Sequence, residues 1–523
     1  MLPSQCSVCF PWGVRTDPQA LDGRSFDFLI VGGGIQGAAM AREVALRGSS
    51  VLLVERADFG SGTSSKSSRL IHGGLRYLEH GHLSLVREAL QERERLLRLA
   101  PHLVRPLAML MPFFRGGPSP LKIKLGLKLY GLLAGRHSLP PARSCGPEDC
   151  QRLFPPLRSK DLRGGTVFYD ARTEDQRLTL ANVEAAVAAG AEVVNRVAVD
   201  GISETGIRLL DVIRDTEITV RAAQVLNAAG PGVDEVRRRF GIDAPDLVRL
   251  SRGSHLVLDP MPSEVALAAF LPDRRIQFVI PHHDGTLCGT TEVEESGPAS
   301  NEMQVPADDV QYLLAALDHL YETPPPRDQV RYAYGGWRAL PTGKGPAGGL
   351  NREAFLVSEP SAAGPVHTVV GGKLTTHRSF AERAVQQLFG DRQPSLSREQ
   401  FLPGGVGPQE VGDPLWWRHG SRLRDVRALG QARAELLAPI CAHRDLLRVE
   451  AVFALREQAT VTFEDLMMHR LFHSLGPCLE PGCLDAAFDL FEEYRPAGVP
   501  ADREADKARL EGLVRYAVAA LLP

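Results

Sequence analysis

The chain lacks any apolar run approaching the roughly 18 to 20 residues that a membrane-crossing helix needs, so membrane contact is expected to be peripheral. It also lacks an excess of either charge. Sixty Lys and Arg stand against 63 Asp and Glu, a formal net charge of -3, which leaves no electrostatic footprint for nucleic acid. Cysteine is sparse, with eight in 523 residues. Cys6 and Cys9 make one C-x-x-C, but no second pair or histidine pair follows at zinc-finger spacing, and Cys145, Cys150, Cys288, Cys441, Cys478 and Cys483 are scattered. They read as free thiols in a reducing compartment, with no metal site. Residues 1–25 lack the charged start and continuous apolar core of a secretory signal and carry Pro3, Pro11 and Pro18. A disordered extension is expected there.

What is present is concentrated in residues 26–77. A strand-forming run at 26–31 meets Gly32, Gly34 and Gly37 in G-x-G-x-x-G order, and a helix-forming segment follows at 38–47. Gly32 permits the tight turn, Gly34 lets the backbone approach a pyrophosphate, and Gly37 allows close helix–strand packing. Ile35 and Gln36 fill the turn between Gly34 and Gly37, and the N-terminus of the following helix offers free N–H groups to the anion. A second apolar run, 51–54, ends in Glu55, placed to accept from an adenosine ribose 2′-OH, and Arg56 follows it. This acid disfavours a 2′-phosphate. The pattern predicts a dinucleotide cofactor.

A plain NAD fold would continue with another strand and helix. Here a hydroxyl-rich loop follows instead, with Thr63, Ser64, Ser65, Ser67 and Ser68, and it leads into His72, Gly73, Gly74, Leu75, Arg76 and Tyr77. Such a loop favours a flavin, wrapping its pyrophosphate and isoalloxazine. Later turns are expected to return to it: Ala229 and Gly230 after a strand at 218–226, and Gly372, Lys373, Leu374 and Thr375 after a strand at 366–370. The second of these opens a helix, whose N–H groups suit the charge of a reduced flavin.

The rest is read more coarsely. An amphipathic packing helix spans 83–99. Residues 120–136 carry Leu121, Leu125, Leu129, Leu132 and Leu133 on one stripe among Lys122, Lys124 and Lys128, which suits either an anionic membrane surface or packing on the chain's own domain. Strands near 255–258, 277–280 and 286–291 predict an antiparallel sheet. Residues 403–408 read as a glycine- and proline-rich linker, and the remainder as a helical cap without chemistry.

The runs SSKSSRLIHGGLRYLEHG, RGSHLVL, VIPHHDGTLCGTTEVE, YGGWRALP and GGKLTTHR are collinear, and together they resemble the FAD-dependent, quinone-linked glycerol-3-phosphate dehydrogenase family. The helical tail is similar to that family's C-terminal domain. The resemblance implies an α/β (α+β) fold: a Rossmann-like FAD domain of the D-amino-acid-oxidase/glutathione-reductase type at 26–105, 161–250 and 345–395, an antiparallel substrate domain at 106–160 and 251–344, and a helical domain at 404–523.

It further implies oxidation of sn-glycerol 3-phosphate to dihydroxyacetone phosphate, with electrons passed to membrane quinone from a cytoplasmic position on an anionic lipid surface. A homodimer is left open. His255 matches the family's base, Arg76 and Arg338 its substrate-site arginines, and Tyr77 and Lys373 further donors. An ordinary imidazole pKa near 6.5 suits that base. The chain departs from the family at Gln36 for Asn, His377 for Tyr and Glu292 for Asp. An oxidase using O2 and a flavin-bearing sensor without turnover are the competing functions.

Overall fold

A computed structural model describes residues 13–519 apart from 76–77, 79–80, 136–138, 264, 283–284, 296, 298–302, 344–352, 392, 408, 432 and 473–475, with the backbone alone at 515–519. Two sheets and a helical tail make up the molecule. In the first sheet the spatial order is Phe355–Glu359, Val366–Val370, Thr216–Asn227, Ser25–Val31, Val51–Glu55, Glu192–Asn195. Along this order neighbours are parallel except at the Phe355–Glu359 edge, and the hairpin Val197–Ser203/Gly206–Asp211 adds an antiparallel extension to Thr216–Asn227.

Phe28, Leu29 and Ile30 are buried with no solvent-facing side, as expected of a parallel strand covered on both faces. Each such side chain contributes roughly 1.5–3 kcal/mol of apolar burial. The helix Ile35–Leu46 packs its small residues Ala38, Ala39 and Ala41 on this sheet. Because Ser25–Val31 has one sequence-adjacent and one distant neighbour, the strand order reverses at its C-terminal end, which opens a crevice there.

The second sheet is antiparallel throughout, except where Ala266–Phe270 runs parallel to Val104–Phe114. Its functional centre is the long pairing of Val248–Leu258 with Val330–Pro341, which sets His255 opposite Tyr334 and Ser251 opposite Arg338. The helix Ala307–Leu320 covers one face through Leu313, Leu317 and Leu320. Leu70–Ile71 and Leu162–Thr173 also belong to this sheet. They were expected in the cofactor domain; the pairing of Leu162–Thr173 with both Val104–Phe114 and Leu70–Ile71 places them in this sheet.

Two further expectations fail for packing reasons. The proposed linker is part of a packed junction: a Cβ on Gly404 would meet the His419 carbonyl oxygen at 2.5 Å, and one on Gly405 the Leu99 carbonyl oxygen at 2.4 Å. Within the extension expected to be disordered, residues 13–25 are seated on the fold. Thr16 N–H donates to the Val193 carbonyl at 2.9 Å, Arg15 Nε to Asn195 Oδ1 at 3.0 Å, and Leu21 is fully buried.

The tail is bonded to the first sheet by charge. Asp58, just past Glu55, receives Arg470 through both oxygens at 2.6 and 2.9 Å, with His469 at 3.0 Å and Asn195 at 2.9 Å. These partners hold its carboxyl below the usual range against the cost of burial. Among the described residues, no helix is long and apolar enough to cross a membrane.

Candidate active site

One cavity of about 600 Å³ opens where the two sheets meet. Gly32, Gly34, Ile35, Gln36, Glu55, Arg56, Thr63, Ser64, Ser67, Ser68, His72, Gly73, Gly74, Leu75, Ala229, Gly230, Gly372, Lys373, Leu374 and Thr375 all line it, together with His255 and Arg338. The expected cofactor turns and the expected substrate residues therefore share one chamber. Arg76 and Tyr77 lie outside the described residues.

The dinucleotide end is shaped by missing side chains. Gly32 has φ +106°, and a Cβ there would meet the Ala228 carbonyl oxygen at 2.6 Å. Gly37 does not line the cavity; its Cβ would sit 1.9 Å from the Gly32 oxygen, so it closes the helix onto the turn. Glu55 accepts from the N–H of Gly33 at 2.7 Å and of Ala57 at 2.8 Å, and burial raises its pKa. Gln36 lies under the second glycine turn, 2.6 Å from where a Gly372 Cβ would be, and its buried Oε1 has no hydrogen-bond partner among the described residues. A cradle cleared of Cβ atoms and a buried acceptor without a donor fit a flavin dinucleotide. His72 N–H donates to Thr375 Oγ1 at 3.2 Å, which joins the early and late chain segments around the cavity.

The hydroxyl-rich loop divides its labour. Ser64 Oγ accepts from Ile35 N–H at 2.9 Å, Thr63 Oγ1 donates to the Trp337 carbonyl at 2.6 Å, and Ser67 Oγ donates to Asp175 at 2.7 Å. Ser65 was expected at the cofactor, but its hydroxyl turns back to the carbonyls of Ser61 and Gly62 at 3.2 Å and is absent from the cavity wall. Its role is to fold the loop.

Ser68 Oγ lies 2.8 Å from His255 Nε2, and the His255 ring stacks on Tyr334 with centroids 4.9 Å apart. Nδ1 of His255 is buried without a hydrogen-bond partner among the described residues. Burial, then Arg338 and Arg69, push the imidazole down to about 3, so it is neutral at pH 7 and a weaker base than its ordinary value implies. Arg338 lies against Gly253 and donates to Thr290 Oγ1 at 3.1 Å and to the Thr291 carbonyl at 3.2 Å. Methionine and phenylalanine side chains, Met109, Met111, Phe168, Phe270 and Phe278, supply apolar wall.

Several participants escape a sequence reading. Lys66 lines the cavity with Nζ 6.0 Å from the Tyr334 ring centroid, and burial pulls it down to about 8. Its place among serines gave no signal. Asp170 also lines the cavity; it accepts from Arg93 at 2.6 Å and from Tyr130 at 2.9 Å, while Tyr130 Oη accepts from Gly73 N–H at 2.6 Å. By contrast, His377, which replaces the family's Tyr, faces helix packing: Nδ1 meets the Leu374 carbonyl at 2.6 Å and Nε2 meets Asn182 at 3.3 Å.

Residues 27–378 match the family described as FAD dependent oxidoreductase. The glycerol-3-phosphate dehydrogenase of Synechocystis sp. is 34% identical over 500 residues, covering 87% of this chain and 90% of that protein. The alpha-glycerophosphate oxidase of Streptococcus pyogenes is 30% identical, covering 79% and 70%. The structure of the glycerol-3-phosphate dehydrogenase from Bacillus halodurans complexed with FAD superposes with a TM-score of 0.73 at 26% identity, covering 97% of this chain and 98% of that one. The chain belongs to the FAD-dependent glycerol-3-phosphate dehydrogenase family.

Proposed function

We propose that this protein oxidises sn-glycerol 3-phosphate at C2 to dihydroxyacetone phosphate, with FAD as cofactor and membrane quinone as final acceptor. The observation that carries the reading is the pairing of the strands bearing His255 and Arg338, which brings both side chains to a cavity lined by the dinucleotide turns. FAD supplies the acceptor for the C2 hydride at its N5. Arg338 holds the phosphate by charge-assisted hydrogen bonds, with Arg76 and Tyr77 as further donors. His255 takes the C2 hydroxyl proton. Its low basicity follows in part from the Arg338 charge, so a phosphate dianion on Arg338 raises it when substrate binds. Lys373, on the turn before the helix His377–Phe389, offsets negative charge on the reduced cofactor.

Anaerobic addition of glycerol 3-phosphate should bleach the flavin absorption; an unbleached spectrum, with ligand bound, would leave only a sensor. The identity with a Streptococcus oxidase gives O2 as the second reading of the acceptor. Hydrogen peroxide release measured against quinone-analogue reduction separates the two.

Peripheral seating on the cytoplasmic face of a membrane is supported by the helix Pro120–Ala134. Leu121 is 77%, Leu125 68% and Leu132 67% exposed, among exposed Lys122, Lys124 and Lys128, while Leu127, Tyr130 and Ala134 face inward. An anionic bilayer matches both the apolar and the basic parts of that face. Changing the three lysines to Glu should weaken co-sedimentation with anionic liposomes; unaltered binding would remove this helix from the reading.

A further inference from the structure

Three cysteines that look scattered in sequence converge in the tail. Cys441 lies in the loop 439–447, closed by the Ile440 N–H to Leu446 carbonyl bond at 2.9 Å and the Pro439–Leu447 bridge. Cys478 lies in the connection that enters the helix Pro481–Tyr494, and Cys483 in that helix's first turn. Their three sulfurs and His443 Nδ1 all lie within 4.8 Å of one another. From Nδ1, Cys478 Sγ is at 3.5 Å, Cys483 Sγ at 3.5 Å and Cys441 Sγ at 3.8 Å; Cys441 and Cys483 sulfurs are 3.2 Å apart.

The geometry points to a structural zinc(II) site held by Cys441, His443, Cys478 and Cys483. Zinc–sulfur bonds of about 2.3 Å and zinc–nitrogen bonds of about 2.0–2.1 Å make a tetrahedron whose edges are about 3.5–3.8 Å. The three nitrogen–sulfur separations fall in that range, and the sulfur pair must open by roughly half an ångström to join it. The donor set is three soft thiolates and an imidazole, the composition that favours zinc over hard cations. All three cysteines are buried, and four protein donors close the coordination shell, as a structural site requires.

Two further observations favour an ion over a disulfide. The Cys441–Cys483 separation is well beyond a bonded pair at about 2.05 Å, and a bond between any two sulfurs would leave the third thiol and the imidazole without a purpose. In addition, the N–H of His443 points at Cys441 Sγ at 3.4 Å, a contact that stabilises a thiolate more than a thiol. Among the described residues, a second cluster with ligand-like spacing, Asp58, Asp465 and His469, has its charge already met by Arg470 and Arg196.

The site's position gives it a task. Neighbouring residues Arg444, Phe472 and Gly476 line a crevice with Val257, Gly285 and Leu287 of the second sheet, and Gly476 lies against Tyr332. Zinc would pin two segments of the tail to each other where they pack on the back of the sheet that carries His255 and Tyr334.

The full chain, purified with its flavin, should contain one zinc per chain by elemental analysis and release it on titration of its thiols with a mercurial reagent. Cys441→Ser and Cys483→Ser should each lose the ion and lower the thermal midpoint. His443→Cys should keep it, with the thiolate-to-metal charge-transfer bands of the cobalt-substituted protein altered. A metal-free wild-type chain, grown in zinc-supplemented medium and with all three thiols readily alkylated, overturns the assignment; so does iron in place of zinc at unit stoichiometry.

Discussion

The two sheets solve different problems with different means. The parallel sheet makes room for a cofactor by omission: Gly32 and Gly34 in one turn, and Gly372 in a turn far along the chain, remove side chains. The antiparallel sheet makes chemistry by convergence. His255 and Arg338 come from strands 83 positions apart and meet through a single register. Damage to the first should therefore act on cofactor retention, and damage to the second on turnover with the cofactor still in place.

The sharpest break in that contrast is Gly37→Val. A side chain 1.9 Å from the Gly32 oxygen forces helix and turn apart, and the purified protein should carry almost no flavin, read from the absorbance ratio of flavin to protein. Full flavin content would mean that the turn is not the cofactor's seat. On the other sheet, His255→Ala should keep its flavin and lose about 10²–10⁴-fold in the rate of flavin reduction, the ordinary worth of a positioned base. Arg338→Ala should lose about 10–100-fold in kcat/KM, mostly as a raised KM, matching roughly 1.5–3 kcal/mol for charge-assisted bonds. Equal effects on kcat and KM in both variants would erase the assigned division between proton transfer and phosphate binding.

The smallest effect separates neither sheet from the other and tests what they share. Burial, chiefly, pushes His102 and His255 down to about 3 and His377 to about 4. Their folded values lie below the ordinary 6.5, so the unfolded chain binds more protons once the pH falls below that value. Stability from these groups is whole above about pH 6.5 and is lost progressively as pH falls toward the folded values, about 2 kcal/mol each by pH 5. The thermal midpoint should fall between pH 7 and pH 5 and do so less in His377→Phe. A flat profile would show these imidazoles to be charged in the fold.

How much of this was legible follows the same contrast. The nucleotide end could be read from residues 26–55 because the strand, the glycines, the helix and the terminal acid follow one another along the chain. The helix expected at 83–99 and the strand at 366–370 appear with those limits, since periodicity and flanking turns define them locally. His255 and Arg338 were assigned only through family resemblance; no local pattern says that two strands will pair. Thr63 and Ser68 were expected at a flavin, yet their hydroxyls bind the Trp337 carbonyl and His255, partners set by the second sheet. The place of Leu162–Thr173 in the second sheet could not be read, because register is a property of its neighbour, Val104–Phe114. The C-x-H at 441–443 and the C-x4-C at 478–483 were visible as spacings, but their meeting depends on the tail's folding back.

The helix Pro120–Ala134 has leucines on its outer side and Tyr130 on its inner side, where the phenol holds the Gly73 N–H and Asp170 at the cavity wall. On the proposed seating, one helix width, about 10–12 Å, is all that separates lipid from that wall. On that proposal the helix would act as a partition rather than an anchor, thin enough for charge to leave toward a lipid-dissolved acceptor. A tilt of its leucine side on the bilayer would also be transmitted to the Gly73 backbone.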